Sequence, residues 1–197
     1  MAVDKQATQA LLAAIAARRT VAYNKLKTDP VSDEHLNQIL EAANQAPTHK
    51  YTEPWRFAIF RGAGRRQLAD LLSRTYKQTA AEKFLPKKYA KAQTRPLAVP
   101  CILAVMMCRG QAPKLPEYEE VLAVGCAVQN LMLAAHALGL GCGWSTPAYV
   151  DHANIRAFFE LGPNDRCFGF LYLGYRAQEC PPTPRRPLAD KLRFIED

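Results

Sequence analysis

Apolar positions fall into two rhythms along the chain. Over residues 4–17, Ala7, Ala10, Leu11, Ala14 and Ile15 repeat at helical spacing, and Asp4 is placed to cap the first turn. A second stripe, Leu36, Ile39, Leu40 and Ala43, predicts a helix over 32–46. Ser32 caps it, Asp33 and Glu34 suit the positive end of its dipole, and Pro47 stops it. Arg56–Phe60 reads as a short strand closed by Gly62, and residues 65–80 return to helical spacing through Leu68, Leu71, Leu72 and Tyr76. The basic segment up to Arg95 reads as helix and loop. Leu97–Met107 is apolar, β-branched and punctuated by proline, and within it Cys101–Met107 predicts a buried central strand.

The longest predicted element covers 117–138, where Val121, Leu122, Val124, Gly125, Val128, Leu131, Met132, Ala135 and Leu138 spread over more than one face. A helix that apolar is expected to be buried on most sides, at the centre of the domain or in a dimer interface. Gly139 and Gly141 are expected to terminate it, with a loop to follow. Asp151–Glu160 predicts a shorter helix and Phe168–Leu173 a further buried strand; the tail from Cys180 is rich in proline and arginine. The resulting order does not alternate as a βαβ fold would, so the class is α+β.

A length of 197 residues suits a single domain over 1–197, and 49% hydrophobic with 22% charged residues suits a folded globular chain. No apolar run approaches the roughly 20 residues that span a bilayer, and the N-terminus lacks the pattern of a secretory signal. A cytoplasmic protein with no membrane partner is expected. Six scattered cysteines, none in a CxxC pair, predict free, mostly buried thiols and no metal site. The net charge of +8 admits a nucleic acid, an anionic membrane surface or a phosphorylated small molecule as partner. Its densest stretch, Lys83, Lys87, Lys88, Lys91 and Arg95, reads as a solvated face beside a phosphate-binding enzyme. A basic nucleic-acid-binding module is the rival, but the chain has no aromatic-interleaved strand motif and no recognition helix. Neither GxGxxG nor GxxxxGK[ST] is present, which excludes a Rossmann turn or a P-loop as the grip on any nucleotide.

Four segments carry candidate chemistry. Arg18-Arg19-Thr20, at the end of the first helix, offers two planar guanidinium forks and a hydroxyl for a phosphate or a polar heterocycle edge, although arginines at a helix C-terminus also simply favour its dipole. Ala46–Phe57 is a polar and aromatic loop stiffened by Pro47 and Pro54; within it His49 alone reads as a surface histidine and Trp55 as core. Ala127–Pro147 is a buried helix ending in glycines and a Trp144-Ser145-Thr146 turn, where a flat ligand can approach the backbone. Thr183–Asp190 places Arg185 and Arg186 in a tail that is either solvated or the other half of a phosphate site.

Taken together, in this order and at these distances, the segments resemble the nitroreductase family from Arg18 to about Asp190. The matching pattern is Arg-Arg-Thr, Ala-Pro…Pro-Trp-x-Phe, Gln-Asn-Leu-x-Leu-Ala-Ala…Gly-Leu-Gly and Arg-x-Pro-Leu; the length, the Ala-Pro-x-His-Lys loop and the Gly169–Gly174 strand are most like the small YdjA-type NAD(P)H nitroreductases. The resemblance implies a nitroreductase-like α+β fold with a central, mostly antiparallel sheet flanked by helices. It implies a homodimer with FMN in clefts at the subunit interface. Arg18, Arg19 and Thr20 would hold the FMN phosphate, ribityl chain or pyrimidine edge. Gln45 and His49 would reach the partner's flavin, Trp144, Ser145 and Thr146 would line the first chain's, and Arg185 with Arg186 would close the phosphate site. NADH or NADPH would be co-substrate in a ping-pong cycle ending on a small-molecule electron acceptor, a nitroaromatic or quinone, with no side-chain acid or base. A relative specialised for dehalogenation or flavin modification is the alternative. Three departures stand out: Ala22 where many members carry a basic residue, Glu53 where many carry Asn or Gln, and Pro147, which has no N–H to offer flavin N5.

Overall fold

The computed structural model describes residues 3–110 and 114–196; Met1 and Ala2, part of the N-terminal reading, lie outside them. The elements are α1 (Lys5–Ala17), α2 (Asp33–Asn44), β1 (Trp55–Arg61), α3 (Gly64–Ala80), α4 (Pro86–Thr94), β2 (Cys101–Met107), α5 (Glu117–Ala137), β3 (Leu140–Ser145), α6 (Ala153–Phe158) and β4 (Arg166–Tyr175). The expected caps form. Asp4 accepts from the backbone N–H of Gln6 at 2.9 Å and of Ala7 at 3.2 Å, and Ser32 accepts from that of His35 at 3.2 Å. Helix α2 closes at Asn44, short of the expected 46, because Ala46 precedes Pro47 and a residue before proline is pushed out of the helical region. Helix α6 is shorter than the expected Asp151–Glu160: His152 caps it, its Nδ1 accepting from Asn154 N–H at 3.2 Å, and Asp151 pairs with Arg156 and Arg166.

The four strands pair antiparallel in the order β1-β2-β4-β3. Alternation along β2 separates two cores. Cys101, Leu103, Val105 and Met107 pack with α2 and α5, while Ile102, Ala104 and Met106 join Phe170, Tyr172 and the α3 leucines on the other face. All seven residues of β2 are buried, as its unbroken apolar run requires.

Strand β3 corrects the sequence reading, which took Gly139 and Gly141 as helix stops followed by a loop. Gly139 does end α5, at φ +76°, but Gly141 lies inside a strand paired with β4. Glycines hide strand propensity, and they are required here by crowding. The segment after α1 runs along the outer edge of β3, with Thr20 bridging Cys142 in parallel and Val21 N–H donating to Cys142 C=O at 2.9 Å. A Cβ on Gly143 would lie 2.6 Å from the Val21 carbonyl oxygen. Gly143→Ala is therefore expected to destabilise the fold by about 1–3 kcal/mol, read as a lower urea midpoint at unchanged m-value.

Helix α5 is buried along one face of the single chain. Its inner face (Ala123, Val124, Ala127, Val128, Leu131, Met132, Ala135) is buried against α2 and the sheet, but Tyr118, Val121 and Leu122 are exposed along its outer face. By length and composition alone α5 passes as a membrane span, in contrast to the sequence reading; its inner face is committed to the protein core. Near its start, buried Glu120 accepts from Arg109 Nε at 2.7 Å and from Gly110 N–H at 2.9 Å.

Candidate functional site

Arg18 is the C-cap of α1, and from it the chain turns onto the edge of β3. Arg19 donates from Nη1 to the carbonyls of Ala16 and Arg18, at 2.6 and 2.8 Å. Two nitrogens of the pair, Arg18 Nη1 and Arg19 Nε, are buried with no hydrogen-bond partner. Beside them, a cavity of about 500 Å³ is lined by Arg19, His136 and Arg176, and Arg176 Nη1 donates to His136 Nδ1 at 2.9 Å. Burial first, then the charges of Arg176, Arg18 and Arg19, hold the His136 pKa below the ordinary histidine value. The corner is rich in guanidinium groups, and the one carboxylate in the cavity lining, Glu179, makes no ion pair among the described residues. A buried charged donor left unpaired is costly, and an anion such as a phosphate group would supply the missing acceptors.

The depressed His136 has a sign that can be measured. A neutral histidine favoured by the fold contributes stability that is full above its unfolded pKa, about 6.5, and is lost as pH falls through the lower folded value. The thermal midpoint should decline on acidification below about pH 6.5 more steeply in the parent protein than in His136→Gln.

The Pro47–Trp55 loop is strained. Lys50, Tyr51 and Glu53 all adopt left-handed backbone, at φ 52°, 54° and 41°, and Tyr51 is 89% exposed. Non-glycine residues held there cost free energy and cluster at functional loops. Gln45 and Glu53 are exposed. His49 pairs with Glu119 on α5 through Nδ1. Trp55 is core, as its own sequence context indicates, with Nε1 donating to Asn44 at 3.1 Å. Pro47, the outer face of α5, Trp144 and Phe168 enclose an apolar groove of about 550 Å³.

Trp144, Ser145 and Thr146 sit together at the end of β3. Trp144 Nε1 donates to the Phe168 carbonyl at 2.8 Å, made accessible by a bulge in β4 where Gly169 takes φ +106° and lies against the Ser145 carbonyl. Ser145 Oγ accepts from Arg95 Nη1 at 3.1 Å. Ser145, Pro147 and Ala148 open onto a cavity of about 820 Å³ that α3 and α4 also line. Arg95 was legible in the sequence only as one of a run of basic residues; nothing marked it as facing inward. Arg185 and Arg186 lie in the exposed tail, and their side chains make no hydrogen bond among the described residues. One chain therefore gathers Trp144, Ser145 and Thr146 at the end of β3, with Thr20 on that strand's edge, and leaves Gln45, His49, Arg185 and Arg186 apart.

Other chemistries are poorly served. Burial pushes the Cys101 and Cys167 thiols up to about 11 and Cys142 to about 12, so none is a thiolate at neutral pH. Among the described residues no cluster of three or more His, Cys, Asp or Glu is placed to hold a metal ion.

The family model described as Nitroreductase family matches residues 15–175, a span holding the last turn of α1, the sheet and every segment above except the tail arginines. The chain belongs to the nitroreductase family. YdjA of Escherichia coli K12, assigned as an NAD(P)H nitroreductase, is 31% identical over 151 residues, 77% of this chain and 81% of that one. Among solved structures, a nitroreductase-like family protein from Bacillus cereus superposes with TM-score 0.81 at 26% identity over all of both chains. A Desulfovibrio desulfuricans protein, assigned as a nitroreductase and crystallised with FMN, gives 0.72 at 28% identity over 95% and 97%. The nitroreductase fold and the α+β class expected from the sequence are those found.

Proposed function

We propose that this nitroreductase-family protein is an FMN-dependent NAD(P)H oxidoreductase that works by a ping-pong cycle. The observation that carries the reading is the pair of buried, unpartnered guanidinium nitrogens of Arg18 and Arg19, the latter on a cavity that Arg176 and Glu179 also line, since they fit the phosphate of a flavin mononucleotide. When bound, FMN supplies hydride acceptance from NAD(P)H and delivery to an oxidised acceptor; the protein orients it and sets its electronics. Arg18, Arg19 and Thr20 hold the phosphate and ribityl end, with Arg185 and Arg186 closing it when the tail is docked. Trp144, Ser145 and Thr146 line the ring. Pro147 has no N–H, so the backbone donor toward N5 is that of Thr146 or Ala148.

The working unit is a homodimer in the cytoplasm. Val121 and Leu122, 36% and 63% exposed on α5, border the apolar groove that a second copy would cover, and the strained loop with Gln45 and His49 would then reach the partner's flavin. Leu122→Asp should give monomers that also lose FMN, measured by light scattering with absorbance detection; monomers that keep FMN would show that one chain suffices. Purified protein incubated with FMN and desalted should remain yellow, and protein that stays colourless would overturn the reading.

A further inference from the structure

The 820 Å³ cavity has walls of unusual composition. Tyr76 comes from α3, Tyr149 from the turn after β3, and Phe170 and Tyr172 from the face of β4. Lys83, Lys88 and Lys91 stand at its rim, and Arg95 reaches inward between Tyr172 and Tyr23, its guanidinium 4.2 and 5.0 Å from their ring centroids. Arg95 spends one N–H on Ser145, while its Nε is buried without a partner. The three lysine ammonium groups make no ion pair or hydrogen bond among the described residues. The one carboxylate in the lining, Asp151, is already held by Arg156 at 3.0 Å and Arg166 at 3.3 Å, and His152 is engaged as the cap of α6. Glu82, next to Lys83 in sequence, does not line the cavity.

The phenols add donors. Burial raises the pKa values of Tyr149 and Tyr172, the latter to about 12, so both keep their protons at neutral pH, and neither hydroxyl makes a hydrogen bond among the described residues. The cavity therefore offers aromatic faces, two phenol O–H groups and four cations, with its single carboxylate neutralised. Its volume lies within the roughly 300–1,000 Å³ typical of small-ligand sites.

We propose that this cavity is the acceptor pocket and that it selects flat aromatic molecules carrying a carboxylate or similar anionic group, with Arg95 as the anchoring cation and the lysine rim drawing the anion in. The proposal rests on the flavin reading, because Ser145 and the Pro147-Ala148 step that border the cavity belong to the segment assigned to the flavin ring. Arg95 suits the anchoring role, because a guanidinium stacked on aromatic rings is held in place and still presents its edge to a carboxylate.

The test uses 4-nitrobenzoate and its neutral counterpart 4-nitrobenzamide, titrated into FMN-loaded protein by calorimetry. The carboxylate should bind at least about tenfold more tightly at low salt, and the margin should shrink as salt rises. Arg95→Gln should remove the preference; Tyr149→Phe and Lys88→Ala, which leave the Arg95 stacking intact, should each reduce it severalfold. Equal affinity for the two ligands in yellow, folded protein would overturn the pocket while leaving the flavin reading standing. Competition between FMN and 4-nitrobenzoate for flavin-free protein would also overturn it, because the cavity would then be the flavin's own. If the protein takes up no FMN yet still prefers the carboxylate in an Arg95-dependent way, the flavin reading fails and the anion pocket remains.

Discussion

Replacing Arg18 and Arg19 together by alanine is expected to weaken FMN binding by about a hundredfold or more while leaving the protein folded. Each charge-assisted hydrogen bond to a phosphate contributes about 1.5–3 kcal/mol, and two are removed. The folded state should tolerate the change, because neither Arg18 Nη1 nor Arg19 Nε has a protein partner to lose. What Arg19 does lose is its pair of bonds to the carbonyls of Ala16 and Arg18 at the end of α1, a local effect. The measurement is FMN affinity by fluorescence quenching, with circular dichroism to confirm folding. Affinity within a factor of about three of the parent would place the phosphate elsewhere. Arg18→Lys and Arg19→Lys should retain part of the binding, since the charge remains but the planar fork is lost.

Glu120→Ala is the substitution expected to cost the most stability, about 3 kcal/mol in urea unfolding. Breaking a buried pair costs about 3–5 kcal/mol, and the lower end applies because the Arg109 side chain keeps 24% exposure. The Gly110 N–H loses its acceptor in the same change. Gly110 abuts the Thr52 side chain, so Glu120 also braces the strained 48–53 loop from behind. Glu120→Gln should recover only part of the loss, because its one amide oxygen can accept from Gly110 or from Arg109 but its NH2 then faces the other donor. An Ala variant as stable as the parent would mean that the pair contributes nothing net.

Residues whose roles follow from local chemistry were legible before any coordinates. The caps Asp4 and Ser32, the all-apolar β2 and the C-terminal glycine of α5 obey short-range rules. Strand β3 was not legible, because Gly141 and Gly143 are there for the approach of Val21 and its neighbours, a contact between segments far apart in the chain. The apolar outer face of α5 left two readings open, the centre of the domain or a dimer interface, because such a face reads the same whether the domain or a second copy covers it. In the site, the Arg-Arg-Thr and Trp-Ser-Thr segments stood out by composition and order. Arg95 did not, since its inward course between Tyr23 and Tyr172 depends on how the α4 turn meets the sheet. Its neighbours Lys83, Lys88 and Lys91 read as a solvated face; they are solvated, and they also rim a cavity.

The central claim is that this chain binds FMN and uses it to take hydride from NAD(P)H, and one anaerobic titration tests it. Protein incubated with FMN and desalted should carry stoichiometric flavin absorbance, bleach on addition of NADPH or NADH, and recover its colour when an aromatic nitro or quinone acceptor is added. Protein that retains no flavin, or retained flavin that neither nucleotide bleaches, would contradict the account.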